Sequence, residues 1–149
     1  MAKIHPKTKK KQAFPTVWVG LGIILLILAA VIVLPQLGNQ DATTTLPLTV
    51  NVAQAAEIRD AGAFVLDVRQ PEEWEQAHIP GATLIPLGEL QSRINEVPKD
   101  QEILVYCRSG NRSQEGRDIL LAAGYENVTS MSGGINDWIS QGLPTVSGP

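Results

Sequence analysis

Cysteine is almost absent from this chain: Cys107 is the only one in 149 residues. A single thiol cannot close an internal disulfide, so the fold does not rest on covalent staples. Acid is absent from the first 34 residues, which hold five lysines: Lys3, Lys7, Lys9, Lys10 and Lys11. Charge of either sign is absent from Val17 to Leu34, an uninterrupted apolar run of 18 residues. The remainder has no basic stripe. It sets seven cations, Lys99 and six arginines, against fifteen acids, giving −8, which with the +5 of the first part makes the net −3. An acidic domain of this kind excludes nucleic acid as a partner.

What is present begins with that apolar run. At 1.5 Å per residue it spans about 27 Å, close to the roughly 30 Å hydrocarbon core of a bilayer. A buried core helix of this length would show a polar face, and this one has none. Phe14 and Trp18 stand where interfacial aromatics belong, and Pro35 stops the helix. The run is long for a signal peptide, and Leu37 to Ala42 offers a poor cleavage site. No cysteine directly follows it to serve as a lipid anchor. The expectation is an uncleaved transmembrane helix over 16–35, in contact with the lipid bilayer, behind a basic tail over 1–15. Lysines on the short side hold that tail in the cytoplasm and put the folded part across the membrane. Residues 36–47 are polar, small and aperiodic and read as a linker. Residues 48–149 suit one domain.

Within that domain, short apolar runs alternate with helical patterns. Strands are expected at Leu48–Val50, Phe64–Leu66, Thr83–Ile85, Ile103–Tyr106 and Asn127–Met131. Helices are expected at Val52–Ala61, from Pro71, at Glu89–Glu96, at Ser113–Ala123 and at Ile135–Ser140. This alternation implies a parallel sheet covered on both faces. In such sheets the site lies at the carboxyl end of a central strand.

The run Ile103–Tyr106 ends on Cys107, Arg108, Ser109, Gly110, Asn111, Arg112 and Ser113, and a helical segment follows. A buried strand would thus deliver the lone thiol into a tight loop at a helix N-terminus. The unpaired N–H groups and partial positive charge there favour anions, and they stabilise the thiolate, the reactive form of cysteine. Gly110 permits the curl that such a loop demands. Arg108 and Arg112 add full positive charges at the mouth of the loop. Of the two, Arg112 is the expected anion contact and Arg108 a candidate rim residue.

These residues resemble the active-site loop of the rhodanese family of sulfurtransferases. Asp67-Val68-Arg69, Glu73-Trp74 and His78-Ile79-Pro80-Gly81-Ala82 are similar to the family's first signature. Gly133-Gly134-Ile135-Asn136-Asp137-Trp138 is similar to its second, and Gly124-Tyr125 with Val128 fits the segment before it. The matches run in the family's order from about Leu48 to Leu143. One departure is Ala77, where family members often carry glycine. The resemblance implies a three-layer α/β fold with a central parallel five-stranded sheet. It also implies a ping-pong reaction. A small sulfur-containing anion such as thiosulfate makes a persulfide on Cys107 and releases sulfite; a thiol or cyanide then takes the sulfur. Neither a cofactor nor a metal is expected.

Cys107 and Arg112 enclose four residues, whereas cysteine phosphatases and their rhodanese-fold relatives generally enclose five. The shorter ring favours one sulfur over a phosphate group. Asp67 and Arg69 are expected as an ion pair bracing the loop, His78 as a hydrogen-bond partner of its own turn, and Gly133 and Gly134 as sites of close backbone approach. Trp74 and Trp138 are expected in the core. A different class of function stays open: a non-catalytic persulfide carrier, or a binding or redox-sensing module at the membrane.

Overall fold

Five short strands pair in parallel in the computed structural model, which describes residues 46–149. In chain order the elements are β1 (Thr49–Val50), α1 (Val52–Asp60), β2 (Phe64–Asp67), α2 (Pro71–Gln76) and β3 (Thr83–Leu84). There follow α3 (Leu87–Leu90), a 3₁₀ turn (Ile94–Glu96), β4 (Ile103–Tyr106), α4 (Asn111–Ala122), β5 (Val128–Met131) and α5 (Gly134–Ser140). The sheet order is β1-β5-β4-β2-β3, so β4 lies at the centre. Its register sets Tyr106 beside Asp67 of β2 and Val105 beside Ser130 of β5.

Side chains alternate across a strand, and this alternation sorts the core into two layers. Ile103, Val105 and Cys107 pack with Leu90, Leu120 and Tyr125, on the face covered by α3 and α4. Leu104 and Tyr106 pack with Val52, Ala55, Ile135 and Trp138, under α1 and α5. Both faces are covered, which explains why β4 is apolar at every position rather than at alternate ones.

Two expectations from the sequence are corrected. Glu89–Glu96 is not one helix but a single α-turn at Leu87–Leu90 and a separate 3₁₀ turn. At the break the Glu89 carbonyl accepts from the Ser92 hydroxyl and amide, at 2.8 and 3.0 Å, and from the Arg93 amide at 3.0 Å, after which the chain passes into the 3₁₀ turn. Trp74 is half-buried rather than core. It stacks on the His78 ring at 3.6 Å and 6°, while Trp138 is fully buried. Among the described residues no helix is long and apolar enough to cross a membrane. The expected helix over 16–35, the tail before it and nearly all of the linker lie outside the described residues.

Candidate active site

The central strand ends by turning its last side chains to opposite faces. Tyr106 goes down into the α1–α5 layer, and Cys107 goes to the α4 side, where the residue is 1% exposed. Its Sγ accepts a hydrogen bond from the Gly110 amide at 3.1 Å and lies 3.8 Å from the Ser113 hydroxyl. Ser113 Oγ in turn donates to the Gly110 carbonyl at 2.9 Å, closing the ring of the loop. Helix α4 starts at Asn111, directly after Gly110 at φ +107°, so its positive end faces the loop. The sequence leads one to expect several N–H groups of the loop and helix terminus at the sulfur. One is there, that of Gly110; the amides of Asn111, Arg112 and Ser113 are first-turn donors of α4.

The other side of the loop is held by α5. The Ile135 amide donates to the Cys107 carbonyl at 2.8 Å, and the Asn136 amide donates to that of Arg108 at 3.2 Å. Gly134 makes this approach possible. It sits at φ +60°, and a Cβ there would collide with the Cys107 carbonyl oxygen and lie 2.5 Å from the Arg108 carbonyl carbon. Gly133 precedes it with the same sign of φ, as the residue that opens α5.

Beneath the loop, Asp67 and Arg69 form a buried pair, with Arg69 Nη2 2.6 Å from Asp67 Oδ2 and Nε donating to both carboxylate oxygens. Arg69 also donates to the carbonyls of Glu73 and Ala77, at 3.2 and 2.8 Å. Burial opposes the charge of Arg69, but the Asp67 hydrogen bond and charge outweigh it and hold the guanidinium above its ordinary value. Burial, aided by the nearby Asp67 charge, pushes the Tyr106 hydroxyl up; that oxygen accepts from the Ile79 amide at 3.2 Å.

Arg112 is engaged elsewhere than expected. Its two terminal nitrogens donate to the two carboxylate oxygens of Glu73, at 2.7 and 2.8 Å. The hydrogen bond from Arg112 lowers the Glu73 carboxyl to about 2, against the opposing effect of burial. Arg108 is exposed and takes part in none of the ion pairs among the described residues. It lines a cleft of about 330 Å³ between α2, the cysteine loop and α5.

A family model described as Rhodanese-like domain matches residues 51–141. The chain belongs to the rhodanese-like domain family. YrkF of Bacillus subtilis (strain 168), a protein named for sulfur carriage, is 42% identical over 100 residues, covering 67% of this chain and 54% of YrkF. The chain therefore spans about half the length of that relative. A sulfurtransferase of Allochromatium vinosum is 40% identical over 84 residues, covering 56% of this chain and 78% of that protein. The crystal structure of a rhodanese-related protein from Thermoplasma volcanium superposes with a TM-score of 0.63 at 34% identity. It covers 67% of this chain and 98% of that one.

The rhodanese-like domain thus brings Cys107, Ser109 and Gly110 of the loop together with Asn111, Arg112 and Ser113 of the first turn of α4, with Asp67 and Arg69 at the end of the neighbouring β2 and Gly133 and Gly134 beside the loop. His78 stands apart, under α2. Its Nδ1 lies 3.1 Å from the Trp74 carbonyl, and its backbone pairs with Val146 in an antiparallel bridge. Sequence reasoning missed two participants. Glu73 read only as part of the first signature and was given no partner, because that partner lies 39 residues away. Asn136 read only as part of a signature, although an amide just inside a helix that follows two glycines is a natural partner for a loop carbonyl.

Proposed function

We propose that this protein is a sulfurtransferase in which Cys107 carries a sulfane sulfur. The observation that carries the reading is the Gly110 amide on Cys107 Sγ at the start of α4. Both the amide and the helix terminus stabilise negative charge on sulfur. In the first half-reaction the Cys107 thiolate attacks the outer sulfur of thiosulfate or a related donor. The donor's S–S bond breaks and sulfite leaves with the bonding pair. In the second, a thiolate or cyanide attacks the outer sulfur of the persulfide, and Cys107 departs as thiolate. Similarity to a named sulfurtransferase supports the reading. Similarity to a protein named for sulfur carriage supports a second one, in which the persulfide is stored and handed on without fast turnover.

Treatment with thiosulfate is expected to add about 32 Da, one sulfur atom, at Cys107 and nowhere in Cys107→Ser. The rate of sulfite release in the presence of cyanide separates the two readings, since a carrier releases a first equivalent and then turns over slowly. Failure of the wild type to gain mass overturns both.

We further propose that residues 16–35 cross the membrane once, with the N-terminus cytoplasmic and the domain outside. The charge-free run and the lysines before it support this. A membrane-impermeant thiol reagent should then label Cys107 in intact cells; labelling only after lysis overturns the orientation.

A further inference from the structure

We infer that Glu73 is a positioning residue that withholds Arg112 from bound anions, so that the cysteine loop discriminates against compact, multiply charged donors. The inference rests on the sulfur-transfer reading above and deepens it by naming the group that sets donor affinity. Arg112 stands in the first turn of α4, whose N-terminal end meets the loop at Gly110. A guanidinium there would grip an oxyanion through its planar fork. The two terminal nitrogens of that fork are instead engaged by the Glu73 carboxylate, at 2.7 and 2.8 Å.

That carboxylate is fixed in place for the contact. Glu73 Oε2 accepts from the Gln70 amide at 3.1 Å, and the Glu73 carbonyl accepts from Arg69 Nη1 at 3.2 Å. Arg69 is itself anchored by buried Asp67. Among the described residues, Glu73 is the one acid within ion-pair distance of Arg112. The Glu73 hydrogen bond holds the Arg112 guanidinium above its ordinary value against burial. The charge of a Cys107 thiolate adds to that rise, so the guanidinium lies within electrostatic reach of the sulfur. Both partners of the pair are partly exposed, so an incoming anion and the carboxylate compete for one guanidinium. A dianion such as thiosulfate also meets the negative charge of Glu73 itself.

The test compares wild type, Glu73→Gln, Arg112→Gln and the double variant. Glutamine keeps an acceptor for the Gln70 amide and removes the charge. Two quantities are measured at constant ionic strength: the KM for thiosulfate in persulfide formation, and the sulfate concentration that half-protects Cys107 from iodoacetamide. Glu73→Gln is expected to lower both about fivefold, the worth of one partly exposed charge pair. The gain should vanish when Glu73→Gln is made in the Arg112→Gln background, because no guanidinium is then released. A merely structural clamp predicts the opposite sign, since a loosened α4 would bind both anions more weakly. Unchanged or weaker anion binding in Glu73→Gln overturns the inference, and so does an equal gain without Arg112. A wild type that forms no persulfide overturns the sulfur-transfer reading, while sulfate protection still decides whether Glu73 withholds Arg112.

Discussion

Replacing Gly134 by alanine tests whether the second signature acts by backbone proximity. Two costs add. The residue sits at φ +60°, where a Cβ costs about 1–2 kcal/mol. The new methyl would also overlap the Cys107 carbonyl oxygen and lie 2.5 and 2.6 Å from the carbonyl carbon and oxygen of Arg108. Those atoms are backbone, held by the Ile135 and Asn136 amides, so relief requires moving the loop or α5. Forced overpacking of this kind costs a further 1–3 kcal/mol or so, and Gly134→Ala should lose about 2–5 kcal/mol in total. Gly124→Ala is the matched control: it has φ +84° with nothing within 4 Å of the added Cβ, and should lose only the first part, about 1–2 kcal/mol. Urea unfolding followed by tryptophan fluorescence measures both. The difference between them isolates the collision from the dihedral. Because the displaced atoms include the carbonyl of Cys107 itself, persulfide formation in Gly134→Ala should slow by roughly a hundredfold, as expected for a reacting group misplaced by about 1 Å. In Gly124→Ala it should proceed at the wild-type rate. Equal stability of the two variants, with equal persulfide formation, refutes the account of the double glycine.

Asp67→Ala strands the Arg69 guanidinium in the protein interior and should cost about 3–5 kcal/mol, whereas Asp67→Leu combined with Arg69→Met should cost less. Thermal melts of the three proteins check this, and a single variant within about 1 kcal/mol of wild type removes the claim that the pair ties β2 to α2. Glu73→Gln addresses the ion pair above it. The Glu73 carboxyl is held below its ordinary value, at about 2, so its stabilising contribution is present above the unfolded value near 4.5 and is lost as pH falls toward 2. Because the pair is partly exposed, that contribution is about 1 kcal/mol after solvent screening. The stability gap between wild type and Glu73→Gln should therefore narrow from pH 5 to pH 2 in urea titrations. A gap that is constant or widens on acidification contradicts the pairing.

Much of the fold was legible because the strands are short apolar runs punctuated by glycine, proline or polar residues. Phe64–Asp67 and Ile103–Tyr106 lie within a residue or so of where the pattern puts them. Alternation of strand and helix carried the parallel sheet, and the family resemblance carried its five strands. The segment after Glu89 was misread because its residues suit a helix but form two separate short turns, a division that no periodicity reports. Trp74 was misplaced for a related reason: its large apolar ring suggested burial, but stacking on His78 satisfies it at the surface of α2. In the site, contiguous features were readable and distant pairings were not. Cys107, Gly110 and Ser113 are close in sequence, so the loop declares itself. Arg112 was assigned to the anion because nothing nearby in sequence competes for it; Glu73, brought in by α2, does compete.

The pairing of Arg112 with Glu73 also changes how charge at the loop should be understood. A loop with two free guanidiniums beside a helix terminus would hold any compact anion strongly. With Arg112 tied to Glu73 in bidentate contact, two charges are neutralised locally and a geometric role replaces an electrostatic one: α2 is clamped to the first turn of α4. Charge stabilisation at sulfur is then left to the Gly110 amide and the end of α4, which are short-ranged and aimed at Sγ rather than at solvent. Arg108, exposed and unpaired, lies beside the cleft that adjoins the loop. The charge stabilisation at Cys107 Sγ and the exposed positive charge of the loop thus reside in different groups. One can be altered without the other, so substitutions at Arg108 should leave the Gly110 amide on Cys107 Sγ in place.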